Sequence, residues 1–161
     1  MASLISNQEA ESQLHKILCN AFMHKLTYNI TSWQLYFITD KGQEICIHSA
    51  EIEVPDIESW WDGIGSTPVN LHKANEPNDT IAAICLFTII NQWPIDIVKV
   101  DKQGNLYLSF TNGCLVKLLA VIEVVDWTWQ VKQESLDSIM TCDSGDIYIT
   151  DDWLVVSEAH V

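Results

Sequence analysis

The feature that most narrows what this chain can fold into is a recurring join: short β-branched or alternating runs linked by polar turns that carry glycine. Residues 33–39 and 44–49 flank Asp40-Lys41-Gly42. The runs 95–100 and 106–110 flank Asp101-Lys102-Gln103-Gly104-Asn105, and the run 114–123 follows Thr111-Asn112-Gly113. A fourth turn, Asp143-Ser144-Gly145-Asp146, leads into 147–150, and 127–131 and 153–156 complete the set. Asn, Asp and Gly tolerate the positive φ that tight hairpins require, so these joins predict antiparallel pairing and, over 95–123, a three-stranded meander.

Helices are expected at two places. Ser6-Asn7-Gln8-Glu9 has the form of a capping box, and Leu14, Ile17, Leu18, Ala21 and Phe22 follow at helical spacing, which predicts a helix from about residue 7 to 23. Asp79 or Thr80 can cap a second helix to about Ile90, with two alanines inside it and Trp93-Pro94 as its stop. An apolar run of that length also reads as a buried strand. Residues 63–79, rich in Gly, Pro, Asn and Thr, read as a long connection.

Leu35-Tyr36 and Gly42 align without a gap to Leu106-Tyr107 and Gly113. After a one-residue shift, Ile52-Glu53-Val54 and Asp56 align to Ile122-Glu123-Val124 and Asp126. The expected fold is α+β: two helices packed on a mainly antiparallel twisted sheet, or on two small sheets, in one compact domain over residues 1–161. Halves 1–65 and 79–161 read as a duplicated helix-plus-β-meander unit within it.

Charge constrains partners more than fold. The chain carries 22 acidic residues against 8 basic ones, a net charge of −14, and every basic residue is lysine. Residues 44–79 hold eight acids and only Lys73, giving −7; residues 133–161 hold seven acids and no lysine, also −7; the remaining segments are neutral. Such a field repels phosphate, and no arginine is present to fork onto guanine or phosphate, which argues against nucleic acid, membrane surfaces and phosphorylated substrates as partners. Docking of a basic protein fits it better.

With 48% hydrophobic residues and seven tryptophans the chain can bury a core. No run approaches the ~20 apolar residues of a membrane span, and the N-terminus has no signal-peptide pattern. Five cysteines (Cys19, Cys46, Cys85, Cys114, Cys142), none in a Cys-x-x-Cys pair, read as reduced core residues of a cytoplasmic protein.

No local signature of catalysis stands out: there is no Gly-x-Ser-x-Gly elbow, no phosphate-cradling glycine loop and no His-Glu-x-x-His. The chain is read as a non-enzyme without metal or cofactor. His15 and Cys19, four apart on the first helix, have metal-ligand spacing, but Cys19 adjoins the apolar stripe and reads as packing. His72 and Glu76 fall in a loop, where such spacing carries no meaning. Asp143, Asp146, Asp151 and Asp152 lack the alternation of a calcium loop. Trp127 and Trp129, two apart, read as a core pair.

The segment around Trp60-Trp61 differs, because adjacent side chains of an extended chain point opposite ways and cannot both face one core. Asp56, Glu58 and Asp62 surround the pair, giving Trp60 or Trp61 as an interface anchor with carboxylates steering a partner.

Residues 95–148 resemble small bacterial immunity proteins of contact-dependent growth-inhibition and polymorphic toxin systems. The likeness is carried by Gly104-Asn105-Leu106-Tyr107-Leu108-Ser109-Phe110, Asn112-Gly113, Trp127-Thr128-Trp129-Gln130-Val131 and Cys142-Asp143-Ser144-Gly145-Asp146-Ile147-Tyr148. The resemblance implies a cytoplasmic protein that binds and neutralises a cognate toxin domain, often a nuclease, and it transfers no contact residues. A non-inhibitory adaptor is the second reading, and a hydrolase with an acidic cleft the third.

Overall fold

The computed structural model describes residues 2–29, 32–54, 87, 90–122, 127–133, 138–151 and 153. Chain order is β1 (Ser3–Ile5), α1 (Asn7–Leu18), β2 (Phe22–Asn29), β3 (Ser32–Ile38), β4 (Glu44–Ser49) and β5 (Ile52–Glu53), then β6 (Ile95–Val100), β7 (Leu106–Phe110), β8 (Leu115–Leu118), β9 (Trp127–Gln133), β10 (Ser138–Asp143) and β11 (Asp146–Ile149). The strands form two antiparallel sheets, one of seven in the order β1-β11-β10-β9-β4-β3-β2 and one of four in the order β5-β8-β7-β6.

The expectation of two helices packed on a sheet is therefore corrected: among the described residues α1 is the one continuous helix, the other helical positions being single residues, and the architecture is mostly β. Each sheet presents an apolar face that the other covers, so no pair of helices is needed as a second layer. In the large sheet, Leu35, Ile47, Val131, Met140 and Ile149 are successive cross-strand neighbours, all at most 1% exposed. In the small sheet Leu106 pairs with Leu118, and both are fully buried. Phe37 of β3 and Phe110 of β7 stack across the interior, ring centres 6.4 Å apart. Burying each such side chain contributes about 1.5–3 kcal/mol.

The helix begins as expected: the Ser6 hydroxyl accepts the Glu9 N–H at 3.0 Å. It ends earlier, at Leu18, because Asn20 takes φ 68° and turns the chain into β2. Phe22, which continues the helical spacing, is instead the first residue of a strand. The second expected helix falls on residues that, save Phe87 and Ile90, lie outside the described ones. Both of these are helical, and Asn91 N–H donates to the Phe87 carbonyl at 2.9 Å. Strands β1, β2 and β10 are not read as strands from the sequence, and of 153–156 only Trp153 is described, helical and buried.

Two local geometries recur. Thr39 and Gly42 close the β3–β4 turn by bonds from Thr39 N–H to Gln43 C=O and from Gly42 N–H to Thr39 C=O, and Phe110 and Gly113 close β7–β8 by the equivalent pair. After α1, Cys19 and Ala21 donate to His15 and Leu18, while Asn91 and Trp93 donate to Phe87 and Ile90, with Asn20 (φ 68°) and Gln92 (φ 70°) at matching places. The large-scale pairing interleaves: β9 sits beside β4, and β5 beside β8.

Candidate functional surfaces

Helix α1 seals the edge of the small sheet. Asn7, Glu11, His15 and Cys19 stand four apart and share a helix face. Asn7 Nδ2 donates to the Asp101 carbonyl (2.9 Å), Glu11 Oε1 accepts Val100 N–H (2.9 Å), His15 Nδ1 accepts Val98 N–H (3.3 Å), and Cys19 Sγ donates weakly to the Asp96 carbonyl (3.6 Å). An edge strand left open would template pairing with another chain, and this stripe supplies its missing partners. His15 and Cys19 are thus engaged with β6 backbone. An open cleft of about 370 Å³ remains beside the stripe, lined by Glu11, Ser12, His15, Lys16, Ile97 and Lys99 among others.

A second surface forms where the two helical ends run into strands. Asn20 N–H donates to the Ile95 carbonyl and Ile95 N–H to the Ala21 carbonyl, both at 2.8 Å, and Phe22 is the bridge partner of Pro94. Ala21 and Ile95 are fully buried, while Phe22 is 37% and Trp93 47% exposed. Among the described residues these are the only aromatics among the exposed large hydrophobics, the others being Leu4, Ile97 and Val121. Asp96 is also exposed, and His24 Nε2 and Glu44 Oε2 form a surface pair at 2.9 Å. Sequence reasoning missed this surface. It took Trp93 for a helix stop and Phe22 for helix core; the only hint was the shift to β-branched and aromatic residues soon after Phe22.

The third surface is a pair of interlocked turns. Asp101 Oδ1 accepts Gln103 and Asn105 N–H, and Oδ2 accepts the Asn105 amide and the Tyr107 hydroxyl. Burial pushes this carboxyl up, but the bonds from Asn105, Tyr107 and Gln103 outweigh it and hold it below its ordinary value. The neighbouring turn places Asp143 opposite Asp146, both exposed. Trp129, fully buried as expected, donates its Nε1–H to the Gly104 carbonyl at 2.9 Å. Among the described residues no group of three or more His, Cys, Asp or Glu side chains is placed to hold a metal ion.

Of the other titratable groups, His48 lies on β4 between Gln34 and Gln130 of the flanking strands, and burial lowers its pKa. Cys46, Cys114 and Cys142 are buried and Cys19 half-buried, all as thiols and not disulfides, and burial raises the pKa of Cys142. Cys85 and the expected anchor segment, Asp56, Glu58, Trp60, Trp61 and Asp62, lie outside the described residues. Among the described residues no helix is long and apolar enough to cross a membrane. No family model, curated protein or solved structure matches the chain.

Proposed function

We propose that this chain is a cytoplasmic immunity protein that binds and neutralises a basic toxin domain, a nuclease being the class its charge fits best. The observation that carries the reading is the charge: −14 on 161 residues without one arginine. A protein that grips nucleic acid is basic, so an inhibitor that covers such a surface is complementary when acidic, and the long-range field speeds the encounter. Within the 44–79 block, Asp56, Glu58 and Asp62 steer the partner and Trp60 or Trp61 anchors it. Truncating that anchor costs about 2–4 kcal/mol of binding.

The test is co-expression with the basic protein encoded by an adjacent reading frame, scored by growth, together with salt-dependent binding of the purified pair. Rescue of growth with a complex that weakens as salt rises is the expected result. A toxin that stays lethal and forms no complex sinks the proposal. A complex without rescue favours the adaptor reading. If reversing Asp56, Glu58 and Asp62 leaves binding unchanged while changes at Asp143, Asp146, Asp151 or Asp152 abolish it, the steering block is the C-terminal one.

A further inference from the structure

Val98 and Val100, two apart on β6, turn their N–H groups to the edge of the small sheet that faces α1, and two side chains of that helix receive them. The two acceptors differ in kind. Glu11 takes the Val100 N–H on a carboxylate oxygen, whereas His15 takes the Val98 N–H on Nδ1, at 3.3 Å. We propose that the His15 bond is an acid-released latch on the seam between α1 and β6, closed while the imidazole is neutral and open once it is protonated. The inference is independent of the partner reading above.

The chemistry is a change of hydrogen-bonding role. An imidazole that accepts on Nδ1 carries its one proton on Nε2; a second proton makes both nitrogens donors and leaves no lone pair for Val98. Solvent protons reach the ring, because His15 is only half-buried and lines the open cleft of about 370 Å³ beside the stripe. Among the described residues, the charged groups sharing that cleft are Glu11 and Lys16 of α1 and Lys99 of β6, one carboxylate against two ammonium groups, and protonation adds a further cation to them. Cys19 and Asp96 lie one turn further on, tied by the Cys19 thiol and the Asp96 carbonyl. Strand β11, which also packs on α1, carries Asp146 and Tyr148, and neither lines the cleft. The Val98 bond can go while the helix stays. Ala10, Leu14 and Leu18 hold α1 by full burial, and the bonds from Asn7 and to Glu11 need no imidazole. What acid opens is one step of a strand edge, the kind of group that templates pairing with another chain.

The experiment follows amide and imidazole ring signals of the isotope-labelled full chain by NMR from about pH 8 to about pH 5, with hydrogen-exchange protection at each pH corrected for the intrinsic rate. Val98 is expected to lose protection several-fold along the same curve as the His15 ring protons, while Val100, held by a carboxylate, keeps its own. His15→Ala should lack this step, and His48→Gln should retain it. Constant protection at Val98 while the His15 ring titrates overturns the proposal, as does an equal loss at Val100, a step that survives in His15→Ala or one that disappears in His48→Gln. Should His15→Ala fail to fold, the wild-type curves decide: Val98 and the His15 ring moving together support the latch, and moving apart refutes it.

Discussion

Replacing Gly104 with alanine probes what locks the two sheets together. Gly104 lies in the β6–β7 turn at φ 93°, and an added Cβ would stand 2.8 Å from the Gly145 carbonyl oxygen, 3.2 Å from Gly145 Cα and 3.3 Å from Ala120 Cβ. None of those atoms is the far end of a flexible side chain, so relief requires the two turns to part. Parting them stretches the bond from Trp129 Nε1 to the Gly104 carbonyl. Gly42 and Gly113 provide the control: their φ values are 80° and 89°, and nothing lies within 4 Å of an added Cβ. Gly42→Ala and Gly113→Ala should each cost only the left-handed penalty, about 1–2 kcal/mol. Gly104→Ala adds overpacking of about 1–3 kcal/mol, for a total of roughly 2–5. Against a typical stability of about 5–15 kcal/mol that is a large loss. Urea unfolding followed by circular dichroism reads it as a shift in midpoint at constant slope. If Gly104→Ala unfolds at the same midpoint as Gly42→Ala, the close approach of the turns does not constrain the fold and the reasoning fails.

Glu11→Ala should cost about 1–2 kcal/mol by stranding the Val100 N–H on the strand edge, with Glu11→Gln partly restoring it; unchanged hydrogen-exchange protection at Val100 in the alanine variant would contradict this. Gln133 and Ser138 are paired across β9–β10 and buried, with side-chain polar atoms that have no hydrogen-bond partner among the described residues. Gln133→Met should therefore stabilise the protein by about 1–3 kcal/mol, and a lowered urea midpoint would overturn that sign. Burial holds the His48 pKa below its ordinary 6.5, so the unfolded chain takes up that proton first; stability should be full above about that value and decline as pH falls toward the lowered one, and His48→Gln should flatten this limb. Asp101, held below 3.8, acts in a separate window: its contribution is present above that value and lost as pH falls through the lower folded-state pKa, so Asp101→Asn should leave the His48 limb intact.

The hairpins are legible in the sequence because a turn is a local event. Gly42, Gly104, Gly113 and Gly145 each need positive φ, and the residues before them carry the hydrogen-bonding side chains or backbone of the turn. Strand β10 is not legible in the same way. Ser138-Ile139-Met140-Thr141-Cys142 is only mildly β-forming, and it becomes a strand because β9 and β11 flank it. The length of α1 shows the same division. Its start is a local cap at Ser6, but its stop depends on Asn20 reversing the chain so that Ile95 can pair with Ala21, a partner about seventy-five residues away. Two helices packed on one antiparallel sheet, or on two small ones, is a reasonable answer to the local signals. What overturns it is the cross-sheet burial of one apolar face by another, which no window of sequence contains.

Partner chemistry and partner position separate in the same manner. Net charge is a sum over residues, so the expectation of a basic partner needs no fold at all. Exposure is a property of the fold, and the same residue type reads differently before and after it is known. Trp129 and Trp93 look equivalent in the chain, each beside polar residues in an apolar neighbourhood, yet one is fully buried with its indole N–H bonded to Gly104 and the other is 47% exposed. At the crossing where Ile95 bonds to Ala21 and Pro94 bridges to Phe22, Ile95 is fully buried while Trp93, two residues earlier, stays exposed. A tryptophan held at the surface by a fixed backbone loses apolar contact that a core position would provide, and a partner that covers it restores that contact at little ordering cost. The acidic turns offer a docked cation little, because their best-defined carboxylate, Asp101, already commits both oxygens to its own loop.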